Sequence, residues 1–199
     1  MKNIVIFISG GGSNMQRIVQ RSKSARWQEK YQAQISLVLS NDPHAGGLQW
    51  AKSEGLHVEV VDHKKYAHEA EPRRAFEHAL IEVLAPHQPE LIVLAGFMRI
   101  LSPYFISHYE GKMMNIHPSL LPAFTGLHTH QRAIDAGVKF AGASVHWVSQ
   151  VLDAGQLIDQ AVVPILPGDN ADLLAARVLT QEHLLYPRVI EGWLSQQSQ

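Results

Sequence analysis

The sequence contains no cysteine. That absence excludes a disulfide framework, a thiolate nucleophile and a cysteine-ligated metal, and it suits a reducing compartment. Nor is there a surplus of charge. Seventeen Lys and Arg against 18 Asp and Glu leave a formal charge of −1, which steers the chain as a whole toward neither nucleic acid nor an anionic membrane. Any anion site must therefore be local. No apolar run approaches the roughly 20 residues of a membrane span, and the opening KNIVIFIS is too short, and too soon followed by glycine, to read as a signal peptide. A cytoplasmic location is the expectation. At 199 residues the chain is long enough to bury a core without metals or cross-links. With no repeat, low-complexity tract or linker, one domain over 1–199 is expected.

What is present is an alternation. Apolar runs of strand length recur at Ile4 to Ile8, Ile35 to Leu39, Val58 to Val61 and Leu91 to Ala95. Between them lie longer segments with helical spacing, such as Met15, Ile18 and Val19, or Ala75, Leu80, Ile81 and Leu84. Strands alternating with helices predict parallel crossovers, so the first half reads as a Rossmann-like, doubly wound and mostly parallel α/β sheet. In the second half ASVHWVSQ and QLIDQAVVPI are separated by a turn around Asp153, which predicts an antiparallel pair and a mixed sheet. From Asn170 to about Leu194 one long helix is expected, opened by Asp169 or Asn170, with Pro187 inside it.

ISGGGSNMQ follows the first strand and opens the first helix, where free N–H groups carry partial positive charge and glycines let a phosphate approach the backbone. Gly10 and Gly12 fit the dinucleotide fingerprint, but its third glycine is replaced by Met15. The triphosphate loop requires a lysine that is absent. A cradle for a single phosphate remains, with Ser13 and Asn14 as extra donors. The competing reading is a tight turn with a Ser or Asn helix cap.

KMMNIHPSLLP holds the chemistry. In a strand, residues two apart share a side, so Asn115 and His117 present an amide and an imidazole together, just before Pro118 stops the ladder. An amide can donate to an oxygen that becomes negative, and an imidazole can pass a proton at neutral pH; acyl-type transfer to nitrogen needs both. Asp153 is the candidate partner for the imidazole, an acid at a turn on the expected active edge, ahead of Asp159. Without cysteine or a serine in a nucleophile-elbow pattern, the nucleophile is expected from a substrate. His128 and His130 in LHTH look like a metal pair but have no spaced third ligand, so no metal is expected. His44, His57, His63, His68, His78, His87 and His108 read as solvated surface. Glu182, beside His183, could accept hydrogen bonds from an amine or sugar if the last helix borders the cleft. A structural histidine at a strand end is the plain alternative to the catalytic reading of His117.

SGGGSN, LAGFMRILSP, NIHPSLLP, GLHTH, LDAGQLI and TQEH stand in this order, and together they resemble the glycinamide ribonucleotide formyltransferases, folate-dependent formyl transferases of purine biosynthesis. The likeness runs from about Lys2 to Trp193. It implies a formyltransferase-type fold, direct transfer from 10-formyltetrahydrofolate to the amine of glycinamide ribonucleotide, and no nucleic-acid or membrane partner. It also implies a catalytic trio of Asn115, His117 and Asp153. Gly12, Ser13, Asn14, Pro118 and Glu182 would hold the ribonucleotide, the first three at its 5′-phosphate. Met98, Arg99, Ile100, Leu101 and Asn115 would form the folate pocket, with Arg73 near the folate's glutamate tail. Gln156 stands where many relatives carry proline. The remaining alternatives are a formyltetrahydrofolate hydrolase-like catalytic domain, a tRNA-directed formyl transferase, or a nucleotide-binding module without chemistry. The first two join a further domain, and after Trp193 six residues are left.

Overall fold

Strand β1 (Lys2–Ile8) sets the two faces of the molecule by simple alternation. Ile4, Ile6 and Ile8 pack to one side with Met15, Ile18 and Tyr186, while Val5 and Phe7 pack to the other with Phe76, Leu80 and Phe105. Because both faces are covered from Ile4 onward, Ile4 to Ile8 are all apolar and buried, which is why that stretch reads as a continuous run. The computed structural model describes residues 1–198. Along it follow α1 (Ser13–Ser24), α2 (Trp27–Tyr31), β2 (Ala33–Ser40), α3 (Gly46–Ser53), β3 (Val58–Val60), α4 (Pro72–Leu84) and β4 (Leu91–Leu94). The second half adds α5 (Pro103–His108), β5 (Met113–His117), α6 (Thr129–Asp135), β6 (Phe140–Trp147), β7 (Leu157–Pro164) and α7 (Ala171–Gln196).

The strands form one seven-stranded sheet in the order β3-β2-β1-β4-β5-β6-β7. β1 to β5 are parallel, β6 runs antiparallel to β5, and β7 antiparallel to β6. The fold is α/β with a doubly wound first half and a mixed second half, as the alternation of runs implies. The strand order reverses beside β1, where β2 and β4 flank it, and ligands of such sheets bind at the carboxyl ends of the strands at that point.

Helix α7 is opened by Asn170, whose side chain accepts the Leu173 N–H, and Pro187 lies inside it. The turn before Pro187 carries a fully buried polar tether. The Tyr186 hydroxyl points into the core toward Leu94 O (3.2 Å) on β4 and Met114 O (2.9 Å) on β5, its proton shared between two carbonyls. Complete burial drives its pKa well above the usual tyrosine value. The LHTH stretch, expected as loop, instead contributes His130 to the first turn of α6, with His128 as its left-handed N-cap residue. Half of that stretch becomes helical because Thr129 and Ala133, one turn apart, bury together. Among the described residues no helix is long and apolar enough to cross a membrane.

Replacing Tyr186 with Phe removes the only proton those two carbonyls share, while keeping the ring. Chemical denaturation is expected to give a stability loss of about 1–3 kcal/mol with an unchanged slope; an unchanged midpoint would mean that the hydroxyl contributes nothing.

Candidate active site

The glycine loop follows directly from β1. Gly12 is the N-cap of α1 at φ +68°, a left-handed conformation that favours glycine, and an added Cβ would lie 2.8 Å from Met15 Cε. No side chain caps this helix, which removes the Ser or Asn cap reading. The first helical N–H with a backbone acceptor is Gln16, on Gly12 O, so the amides of Ser13, Asn14 and Met15 open outward. Asn14 turns its amide away from the loop. It donates to Glu182 Oε2 at 2.6 Å, and its own Oδ1 has no partner among the described residues. Helix α7 therefore does border the cleft, and Glu182 is buried within it. Burial raises the Glu182 pKa, opposed by the Asn14 hydrogen bond and by the charge of His117.

His117 closes β5, and its Nδ1 lies 3.5 Å from Asp153 Oδ2, with both side chains buried. That separation is an ion-pair distance at the outer limit of a hydrogen bond. The other ring nitrogen, Nε2, is 3.0 Å from Phe124 O, so a doubly protonated ring satisfies both neighbours. Asp153 Oδ2 also accepts the Gly126 N–H at 2.8 Å.

Asp153 does not sit where a simple turn on the active edge would put it. Because β6 is antiparallel to β5, the chain leaves β6 at the opposite end of β5, where Val148 N donates to Met113 O. The segment 148–156 must then return by about four strand residues, roughly 13 Å, to reach His117. Gly155 makes the return possible: a Cβ there would lie 1.6 Å from Trp147 O. Gln156 accepts the Trp147 N–H through its backbone carbonyl at 2.9 Å.

His146 is the site residue that sequence reasoning missed. It lies opposite Asn115 in the β5–β6 register and is buried. Its Nδ1 is 3.0 Å from Trp147 O, which can only accept, so that nitrogen carries the proton. The bare Nε2 then accepts from Asn115 Nδ2 at 3.3 Å, which sets the amide the right way round. The signal was available: Ser144 and His146 interrupt an apolar strand with period two, just as Asn115 and His117 do.

The cofactor-side residues divide. Arg73, Arg99 and Ile100 line one cavity of about 490 Å³. Met98 is exposed beside it, whereas the Leu101 side chain packs into the core with Phe76 and Phe105, and Asn115 lies with His146 instead of in that cavity. Side chains tie down both ends of the connecting chain: Met98 N donates to Ser9 Oγ at 2.7 Å, and Ser102 N donates to the buried carboxylate of Glu77 at 2.6 Å. Pro118 lines a separate, smaller cavity with Phe124 and His130. Of the histidines read as surface, His63 and His87 are half-buried, the His63 ring 2.9 Å from Asn41 O. Among the described residues no three His, Asp or Glu side chains converge as a metal centre requires.

A formyl transferase family model matches residues 2–190. The chain belongs to the formyl transferase family. This formyl transferase is 46% identical over 193 residues to the phosphoribosylglycinamide formyltransferase of Escherichia coli (strain K12), covering 97% of this chain and 87% of that one. It is 40% identical over 188 residues to the trifunctional purine biosynthetic protein adenosine-3 of Bos taurus, 94% of this chain and 18% of that protein. The crystal structure of phosphoribosylglycinamide formyltransferase from Brucella melitensis superposes with a TM-score of 0.88 at 46% identity, covering 97% of this chain and 95% of that one. Family membership implies an enzyme with a folate-type co-substrate.

Burial lowers the pKa of His146, and likewise those of His130 and His183, below the usual 6.5. The unfolded chain therefore binds more protons as pH falls below about 6.5, and stability is lost as pH falls through the lower folded values. The melting temperature is expected to drop from pH 7.5 to pH 5, and His146→Phe should make that drop shallower. The same variant should lower the turnover of formyl transfer up to about tenfold through the lost hydrogen bond to Asn115, with Michaelis constants unchanged. Unchanged turnover would remove His146 from the site.

Proposed function

We propose that this formyl transferase moves the formyl group of 10-formyltetrahydrofolate onto the amine of glycinamide ribonucleotide, a step of purine biosynthesis, and that residues 1–199 do so as one domain. The observation that carries this reading is the buried His117–Asp153 pair at 3.5 Å, beside Asn115 on β5, one strand beyond β4 from the switch point. The names of the relatives in purine biosynthesis support the substrate, and the single continuous sheet supports one domain.

In this reading the open amides of the glycine loop, from Ser13 and Asn14 above the left-handed Gly12, hold the 5′-phosphate. Glu182, with Asn14, accepts from the ribonucleotide's amine or sugar hydroxyls. The co-substrate supplies the formyl carbon, and its pterin lies along Met98–Leu101. As the amine adds, negative charge grows on the formyl oxygen. Asn115 faces it with the amide hydrogen that His146 does not use, and His117 turns toward it the Nε2–H that Phe124 O now accepts. Asp153 keeps the ring oriented and stabilises its charged form. His117 then delivers a proton to the departing nitrogen, and the proton that the attacking amine gives up passes through water to Asp153 and on to the imidazole 3.5 Å away, which ends as it began. Alignment of the two substrates contributes much of the acceleration, since well-oriented groups reach effective molarities of about 10⁵ M or more. No side chain in the site is an activated nucleophile, which favours direct attack by the amine.

His117→Ala and Asp153→Asn are expected to keep the fold by circular dichroism and to lose about 10²-fold or more in turnover. Formyl transfer measured with and without glycinamide ribonucleotide separates the alternatives. Amine-dependent loss of the formyl group supports the proposal; amine-independent hydrolysis, or near-wild-type transfer by either variant, refutes it.

A further inference from the structure

Three side chains stand in one row across the sheet: His117 on β5 lies opposite Ser144 on β6, and Ser144 opposite Gln160 on β7. The chain that leaves β5 folds over this row and is held by its other two members. Both amide hydrogens of Gln160 are used, Nε2 donating to Leu121 O at 3.0 Å and to Ser144 Oγ at 2.8 Å. The fully buried Ser144 Oγ donates in turn to Ser119 O at 2.7 Å and accepts the Leu121 N–H at 3.0 Å. Its one proton and two lone pairs are then all engaged. Because Leu121 O can only accept, the Gln160 amide has to present its nitrogen.

What this clamp fixes lies a few residues further along. Ser119 Oγ donates to Ala123 O at 2.6 Å, and Ala123 N to Leu120 O at 3.0 Å. These bonds close a turn whose next residue, Phe124, is left-handed at φ +55°, a conformation that a side chain of its size adopts only where its surroundings impose it. The turn aims Phe124 O at His117 Nε2 (3.0 Å), and two residues later the Gly126 N–H reaches Asp153 Oδ2 (2.8 Å). Arg132 on α6 holds the far side, at Thr125 O and Leu127 O. Arg132 is exposed, whereas Ser144 and Leu121 are buried, so the anchor shielded from water is the one that Gln160 completes.

We propose that Gln160 is a positioning residue of formyl transfer. Through Leu121 it sets how closely 119–126 approaches His117 and Asp153, and so the orientation in which the imidazole passes its proton. This rests on the proton-transfer role given to that pair above. Gln160 lies two strands beyond β5 and has no hydrogen bond to His117 or Asp153. Its influence therefore falls on the alignment of the reacting groups and not on the binding of either substrate.

The test is steady-state formyl transfer, with hydrogen exchange followed amide by amide, for the wild type, Gln160→Met, Gln160→Glu and Arg177→Leu. Methionine keeps the length without a donor, and glutamate keeps the shape but turns an acceptor toward Leu121 O. Arg177 ties Asp169 and Pro164 O at the far end of β7, so its variant controls for mere weakening of that strand. Both Gln160 variants are expected to lose about tenfold in turnover, as a small misplacement of an acting group allows, with Michaelis constants for both substrates unchanged. Their Leu121 and Gly126 amides should exchange faster. Arg177→Leu should lower the melting temperature and leave turnover and those two amides as in the wild type. Unchanged turnover in the Gln160 variants overturns the positioning role, and so does a loss carried by the Michaelis constants or shared by Arg177→Leu. Wild-type transfer by His117→Ala or Asp153→Asn removes the proton-transfer reading instead, and this inference with it, whatever the Gln160 variants do.

Discussion

The pairing of β5 with β6 is the constraint on which the site depends. Strands β1 to β5 run parallel and end at a common edge, and a further parallel strand would have continued that pattern. The reversal at β6 instead lays Ser144 and His146 directly across from His117 and Asn115. It thereby supplies the imidazole that orients the Asn115 amide, and it sends the chain away from the active edge so that residues 148–156 have to come back. Gly155, pressed against Trp147 O, lets that segment turn closely enough for Asp153 to reach His117. The amide orientation and the carboxylate placement are thus two consequences of one antiparallel ladder.

The site's electrostatics follow from how its acids are held. Glu77 and Glu182 are buried and met by neutral donors, Ser102 and the Asn14 amide, while Asp153 accepts the Gly126 N–H and faces His117; none of the three is met by a lysine or arginine. Hydrogen bonds offset much of the cost of burying such groups while leaving their charge uncancelled. Lys64, Arg73 and Arg99 stand apart from them, around the open cavity between the start of α4 and the chain after β4. The result is a cluster of carboxylates and imidazoles at the end of β5 and a separate cluster of cations around the cavity, inside a molecule whose net charge is −1. A balanced total therefore conceals a strong local separation of charge.

Some of this was legible in particular residues. The continuous apolar runs of β1, β2 and β4 identified parallel strands because burial on both faces leaves no polar positions to break them. Asn115 and His117 stood out because two polar groups at period two are costly in a buried strand unless they are used. The same argument applied to Ser144 and His146 and went unread, since a strand beyond a long loop gives no sign of which neighbour it will pair with. Leu101 was assigned to the folate pocket from its place in a motif, yet its side chain turns into the core with Phe105. The first turn of α6 was invisible because its apolar face is only a few residues wide.

The sequence by itself determined the parallel strands of the first half, the glycine-rich start of α1 and the chemical types of Asn115, His117 and Asp153. These rest on local periodicity, glycine conformation and the reactivity of single side chains, all of which are readable one segment at a time. Only the tertiary structure decided that Asp153 returns to His117, that Asn14 faces Glu182 across 168 positions of chain, and that Lys64, Arg73 and Arg99 share one cavity. Those meetings depend on strand order and helix docking. They are set by the burial of the whole core, and no local pattern encodes them.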